Sequence, residues 1–113
     1  MGYLPNKAGL SPSRRYLVEA MQALNFGRIE QLHIRAGEPV FSPAPRLIQD
    51  IKLGSTDNGP RPELASEDFP LKASVIELFE YFERIGDGTV TAVEVRYGLP
   101  FRVVVERSCG ELA

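Results

Sequence analysis

The sequence predicts an α+β fold built from two internally duplicated helix-hairpin (αββ) units, with two helices on one face of a four- or five-stranded, mainly antiparallel sheet. Three observations predict it. The chain repeats itself at an offset of 61 residues, two segments carry apolar residues at helical spacing, and two alternating segments each run into a glycine turn.

The repeat comes first, because a missed repeat misassigns the whole architecture. Leu17 falls on Leu78, Glu19 on Glu80, Gly27 on Gly88, Arg35 on Arg96, Gly37 on Gly98 and Pro39 on Pro100. Between these identities, apolar residues pair with apolar ones: Met21 with Phe82, Leu24 with Ile85, Leu32 with Val93 and Ile34 with Val95. A lone two-stranded ribbon with one helix cannot cover its own apolar face. Two such units can share one sheet and one core. The chain of 113 residues therefore reads as a single domain, 1–113, with pseudo-repeats 11–53 and 71–107 joined by a loop over 54–70.

Residues 1–10 show no periodicity and read as a loose arm. The first helix starts at Ser11, whose hydroxyl can cap free backbone amides, with Pro12 at the first helical position, and runs to about Asn25. Leu32 and Ile34 then alternate with Gln31, His33 and Arg35, as in a strand with one wet face. Ala36-Gly37 supplies the turn, and a return strand begins at Val40-Phe41 until Pro43-Ala-Pro45 interrupts it. Leu47 to Leu53 fits an extra edge strand, while a short helix from Pro45 to Ile51 remains open.

The second helix carries the capping-box pattern Ser74-Val-Ile-Glu77, with some helical turn from Asp68, and Gly86 and Gly88 end it. Val90 to Tyr97 alternates, Tyr97-Gly98 turns, and Phe101 to Arg107 returns before a frayed tail from Ser108. The expected core is Leu17, Met21, Leu24, Leu32, Ile34, Leu78, Phe82, Ile85, Val93, Val95, Phe101 and Val103. Tyr97 and Phe101 are expected to face inward.

Each unit, a helix, a glycine, an alternating strand and a glycine turn, resembles the YezD-like small bacterial proteins. The resemblance covers 25 to 30 residues per copy and lies in Gly27-Arg-Ile and Gly88-Thr-Val with the turns at Gly37 and Gly98. Those proteins have no assigned biochemistry, so the resemblance implies no catalytic residues. Their single-unit length implies that this chain fuses an ancestral homodimer.

Composition removes several function classes. Net charge is −2, so no overall field draws the chain to nucleic acid or membrane. The basic residues are ten Arg and three Lys, which fits either anion and partner recognition or a bias of the genome. Cys109 is the only cysteine and His33 the only histidine, which excludes an internal disulfide and a multi-histidine metal site. Gly54-Ser-Thr-Asp-Asn-Gly59 lacks the Lys-Ser/Thr of a phosphate loop. No run approaches the roughly 20 apolar residues of a membrane span. Residues 1–12 lack a signal peptide's apolar centre, so a cytoplasmic address is expected.

No cofactor, metal or catalytic residue is expected. Strand parity instead leaves Gln31, His33, Arg35, Glu94, Arg96, Arg102, Val104 and Glu106 on the sheet face away from the helices. His33, Arg35, Arg96, Arg102 and Val104 form the candidate partner-binding set, with the arginines around Val104 as an apolar centre. The competing reading is a solvated face on which those arginines pair with Glu94 and Glu106. The function expected is a non-enzymatic interaction or regulatory protein. It would bind a second copy as a homodimer, or another protein, through the open face or an edge. The alternative is a nucleic-acid or anion-binding protein using the hairpin arginines.

Overall fold

A computed structural model of the chain describes residues 9–54 and 72–107. Most of the arm over 1–10, nearly all of the loop over 54–70, the helical turn from Asp68 and the tail from Ser108 lie outside the described residues.

The order of elements is α1 (Pro12–Leu24), β1 (Gly27–Arg35), β2 (Glu38–Val40), β3 (Arg46–Gln49), α2 (Ala73–Ile85), β4 (Gly88–Arg96) and β5 (Leu99–Val104). The five strands form one antiparallel open sheet in the order β2-β1-β4-β5, with β3 also paired to β1. Helices of 13 residues and strands of nine, α1 with α2 and β1 with β4, start at positions related by the 61-residue offset.

Local chemistry explains most boundaries. Ser11 caps α1, its Oγ accepting from the Arg14 amide at 3.3 Å. The capping box of the second helix does not form. Lys72 is the cap residue and makes no side-chain cap bond, so Ser74 lies one residue inside the helix. Ala36 and Gly37 both have positive φ (51° and 77°), as do Tyr97 and Gly98 (55° and 75°). That pair of signs marks a type I′ turn, whose twist matches its flanking strands. The segment Leu47 to Leu53 resolves to the short strand β3, and no helix forms there. Gly27 admits it: a Cβ at that position would collide with the Ile48 carbonyl oxygen.

Leu17, Val18, Met21, Leu24, Val75, Leu78, Phe79 and Phe82 from the helices meet Ile29, Leu32, Ile34, Val90, Val93 and Val95 of the central strands in one apolar cluster. Ile85 and Val103 pack at its margin. Ile29 and Leu32 are both buried although three positions apart, and Gln31 between them has φ 59°. Strict alternation therefore breaks at Gln31, and Arg28 and Glu30 join His33 on the side away from the core.

Candidate functional site

The register between β4 and β5 slips by one residue. Glu94 faces Arg102, but Val95 faces Pro100, so Phe101 has no partner on β4. Such a bulge turns the extra residue off the regular alternation. Phe101 consequently leaves the core, against expectation, and is 45% exposed. Tyr97 is also outside, at 61% exposure, because it occupies the turn itself. Both inward assignments are corrected by the same cause, a local departure from period-two geometry.

The displaced ring becomes the seat of two cations. The Arg96 guanidinium carbon stands 4.2 Å from the Phe101 centroid and that of Arg102 stands 5.7 Å from it. Arg102 also donates to Glu94 Oε1 at 2.7 Å. Alongside, the Phe26 and Tyr97 rings meet edge to face with centroids 4.8 Å apart. Phe26, Arg28, Asp50, Glu94, Arg96 and Phe101 line a cavity of about 190 Å³. Each cation over a ring contributes about 0.5–1 kcal/mol at an exposed site, enough to hold the guanidiniums in place without locking them.

Towards β3, Arg28 Nε donates to Glu30 Oε2 at 2.7 Å, and Arg46 lies 3.8 Å from the other Glu30 oxygen. The hydrogen bond from Arg28 holds the Glu30 carboxyl below the usual carboxylate range.

Of the five residues expected to act together, the structure brings two together at one ring. Arg96 and Arg102 flank Phe101, and Val104, 36% exposed, stands opposite Ala92 on the same strand pair. His33 faces Thr89 across β1 and β4, its Nδ1 2.9 Å from Thr89 Oγ1. Arg35 does not join them. The antiparallel register sets Ile34 beside Gly88 and Gly27 beside Val95, so Arg35 and Arg96 end at opposite ends of the strand pair. At about 3.3 Å per residue, nine residues along the strand separate them by roughly 30 Å. The ring of Arg35, Arg96 and Arg102 around Val104 is thus not formed. Arg102 does take Glu94, as the solvated-face reading expects, whereas Arg96 takes an aromatic ring.

Sequence reasoning missed Phe26, Arg28 and Asp50. The signal for Arg28 was present: Ile29 and Leu32 cannot both be buried in a regular strand, so the alternation had to change phase between them. Phe26 and Asp50 had no such signal, since the pairing of β3 with β1 brings them together, with the Asp50 amide donating to the Phe26 carbonyl at 2.8 Å.

No family model, curated protein or solved structure matches the chain. Among the described residues, no group of three His, Cys, Asp or Glu side chains could hold a metal ion, and no helix is long and apolar enough to cross a membrane.

Proposed function

We propose that this chain is a small non-enzymatic interaction protein that binds a protein partner through Phe101 and the arginines beside it. One observation carries the reading. A bulge presents an aromatic ring outward and Arg96 and Arg102 stand over it, with Tyr97 exposed next to them. Aromatic and arginine side chains are the residue types that concentrate binding energy at protein interfaces. The equal helices and strands fit an origin by duplication of one unit, followed by divergence of the two hairpin ends. Where the first end has Ala36 and Asp87, the second has Tyr97 and Phe26. In this reading the protein works in the cytoplasm.

The exposed rings also support a second reading, single-stranded nucleic acid stacked on Phe101 and Tyr97. The carboxylates of Glu94 and Asp50 at the same cavity count against it, because they offset the phosphate-binding charge.

Charge reversal tests the proposal. Arg96→Glu with Arg102→Glu should abolish partner binding and leave the chain folded, at a cost of about 1–2 kcal/mol for the two lost cation–ring contacts, while Arg35→Glu at the far end leaves binding intact. Submicromolar, salt-sensitive binding of single-stranded RNA by the parent would favour the second reading. Equal binding by the parent and the double variant would exclude the site.

A further inference from the structure

The edge of β3 has a phase and a chemistry of its own. Its register with β1 pairs Gly27 with Gln49, Arg28 with Ile48, Ile29 with Leu47 and Glu30 with Arg46, and Asp50 continues the ladder by donating to Phe26. In an antiparallel ladder, alternate residues turn their amide and carbonyl to the neighbour. Asp50 points its amide at β1, so Ile48 and Arg46 do likewise, and Leu47 and Gln49 point theirs away. On that outer side no strand pairs with Leu47 or Gln49 among the described residues.

The two sheet edges are not equally guarded. β5 carries Pro100, which has no amide hydrogen, and the bulge at Phe101. Both are devices that keep other strands from adding to an edge. β3 has neither, being Arg46-Leu-Ile-Gln49. Its surroundings are apolar and open. Leu47 is 56% exposed and, with Tyr16, Ala20 and Ala23 of α1, borders a trough of about 540 Å³. Ile51 and Leu53 follow it into solvent, Leu53 at 91% exposure.

We propose that β3 is the seat of a symmetric dimer, pairing antiparallel with β3 of a second copy about a two-fold axis at Ile48. The hydrogen-bond phase narrows the choices. Outward residues must meet outward residues, so Leu47 lies opposite Leu47, Gln49 or Ile51 of the second copy. Pairing Leu47 with Ile48 would set outward groups against inward ones. All three registers put the two α1 helices on the same side of a continuous sheet. They differ in charge. The register centred on Ile48 sets Arg46 opposite the second copy's Asp50, and by symmetry Asp50 opposite its Arg46. The register centred on Leu47 sets Arg46 opposite Ile48, and the one centred on Gln49 sets Arg46 opposite Lys52 and Asp50 opposite Ile48. Complementary cross-strand pairs select the first. The apolar trough and the Leu47, Ile51 and Leu53 side chains then supply the water-excluding area that a four-residue strand alone lacks. Closed two-fold pairing is the commonest form of self-association and uses one patch against itself.

Multi-angle light scattering on the purified chain should give twice the 12.5 kDa chain mass. Leu47→Pro removes an outward amide and no bond to β1. It should leave the melt in place at concentrations where the parent is monomeric, and raise the dimer dissociation constant about 30-fold or more. Arg46→Asp should weaken the dimer, and Arg46→Asp with Asp50→Arg should restore it. A monomeric parent, or a dimer indifferent to Leu47→Pro, would overturn the proposal. So would a β3 edge occupied by another protein in place of a second copy. Failure of the charge swap to restore association would overturn the register. Leu47→Pro lies outside the Phe101 cavity, so that variant separates failure of the dimer from failure of the partner site, whereas Asp50→Arg changes a residue that lines the cavity.

Discussion

The Gly37 amide donates to the Gly86 carbonyl at 2.9 Å, tying the first hairpin turn to the end of the second helix. The counterpart relation also holds, the Gly98 amide donating to the Asn25 carbonyl at 2.9 Å. Each hairpin is thus fastened to the helix of the other half. These ties cross the chain's midpoint, so the two helix-hairpin segments support one another beyond their shared core.

Glycine requirements should differ sharply between equivalent positions. Gly27→Ala would drive a methyl group into the Ile48 carbonyl, whereas at Gly88 a Cβ meets only the Ile85 side chain at 3.1 Å. Gly27→Ala is expected to detach β3, seen as loss of hydrogen-exchange protection at the Ile48 and Asp50 amides. Gly88→Ala should leave that protection unchanged.

Phe82 is fully buried between the helices and sheet. Phe82→Ala should cost about 3–5 kcal/mol, a large share of the stability of a small domain. A denaturant midpoint unmoved by the substitution would contradict the assigned core.

Acid should weaken the fold through Glu38. Burial pushes its carboxyl up, but hydrogen bonds donated by Ser11 and Ser13, each 2.6 Å, together with the Arg14 charge outweigh burial and hold it below the usual range. A carboxyl lowered in the folded state contributes stability that is complete above its ordinary value. That contribution is lost as pH falls through the depressed one. Urea midpoints of the parent and Glu38→Gln should therefore differ at neutral pH and converge in acid. Parallel curves at all pH values would show that Glu38 contributes nothing.

The helices and hairpins were legible in the sequence because their determinants are local. Ser11-Pro12 marks the start of α1 by cap and ring geometry alone, and Ala36-Gly37 and Tyr97-Gly98 set their turns through backbone geometry. Which face each side chain takes was less legible. A one-residue slip reverses every assignment beyond it. The slip at Phe101 lies in the pairing of β4 with β5, whereas the phase change at Gln31, matched on β4 between Val90 and Val93, keeps one register and shows in the apolar spacing itself. The Arg35–Arg96 grouping failed for a related reason: equivalent positions on antiparallel strands lie at opposite ends. The cavity at Phe26 and Asp50 depended on where β3 docks, and a four-residue strand announces no partner.

Phe101 should be dispensable for folding. Its ring is half outside the core and its arginine contacts are surface ones, so Phe101→Ser should shift stability by about 1–2 kcal/mol at most. Calorimetry on the parent and the variant measures this, and a loss several times larger would return Phe101 to the core.

Photo-crosslinking in cells tests the central claim most directly. A benzophenone amino acid at position 101 is compared with one at Glu80 on the second helix. The account predicts a discrete protein adduct from position 101 that disappears when Arg96→Glu and Arg102→Glu are added, with none from position 80. No adduct at 101, an adduct indifferent to the charge reversal, or equal labelling from both positions would contradict it.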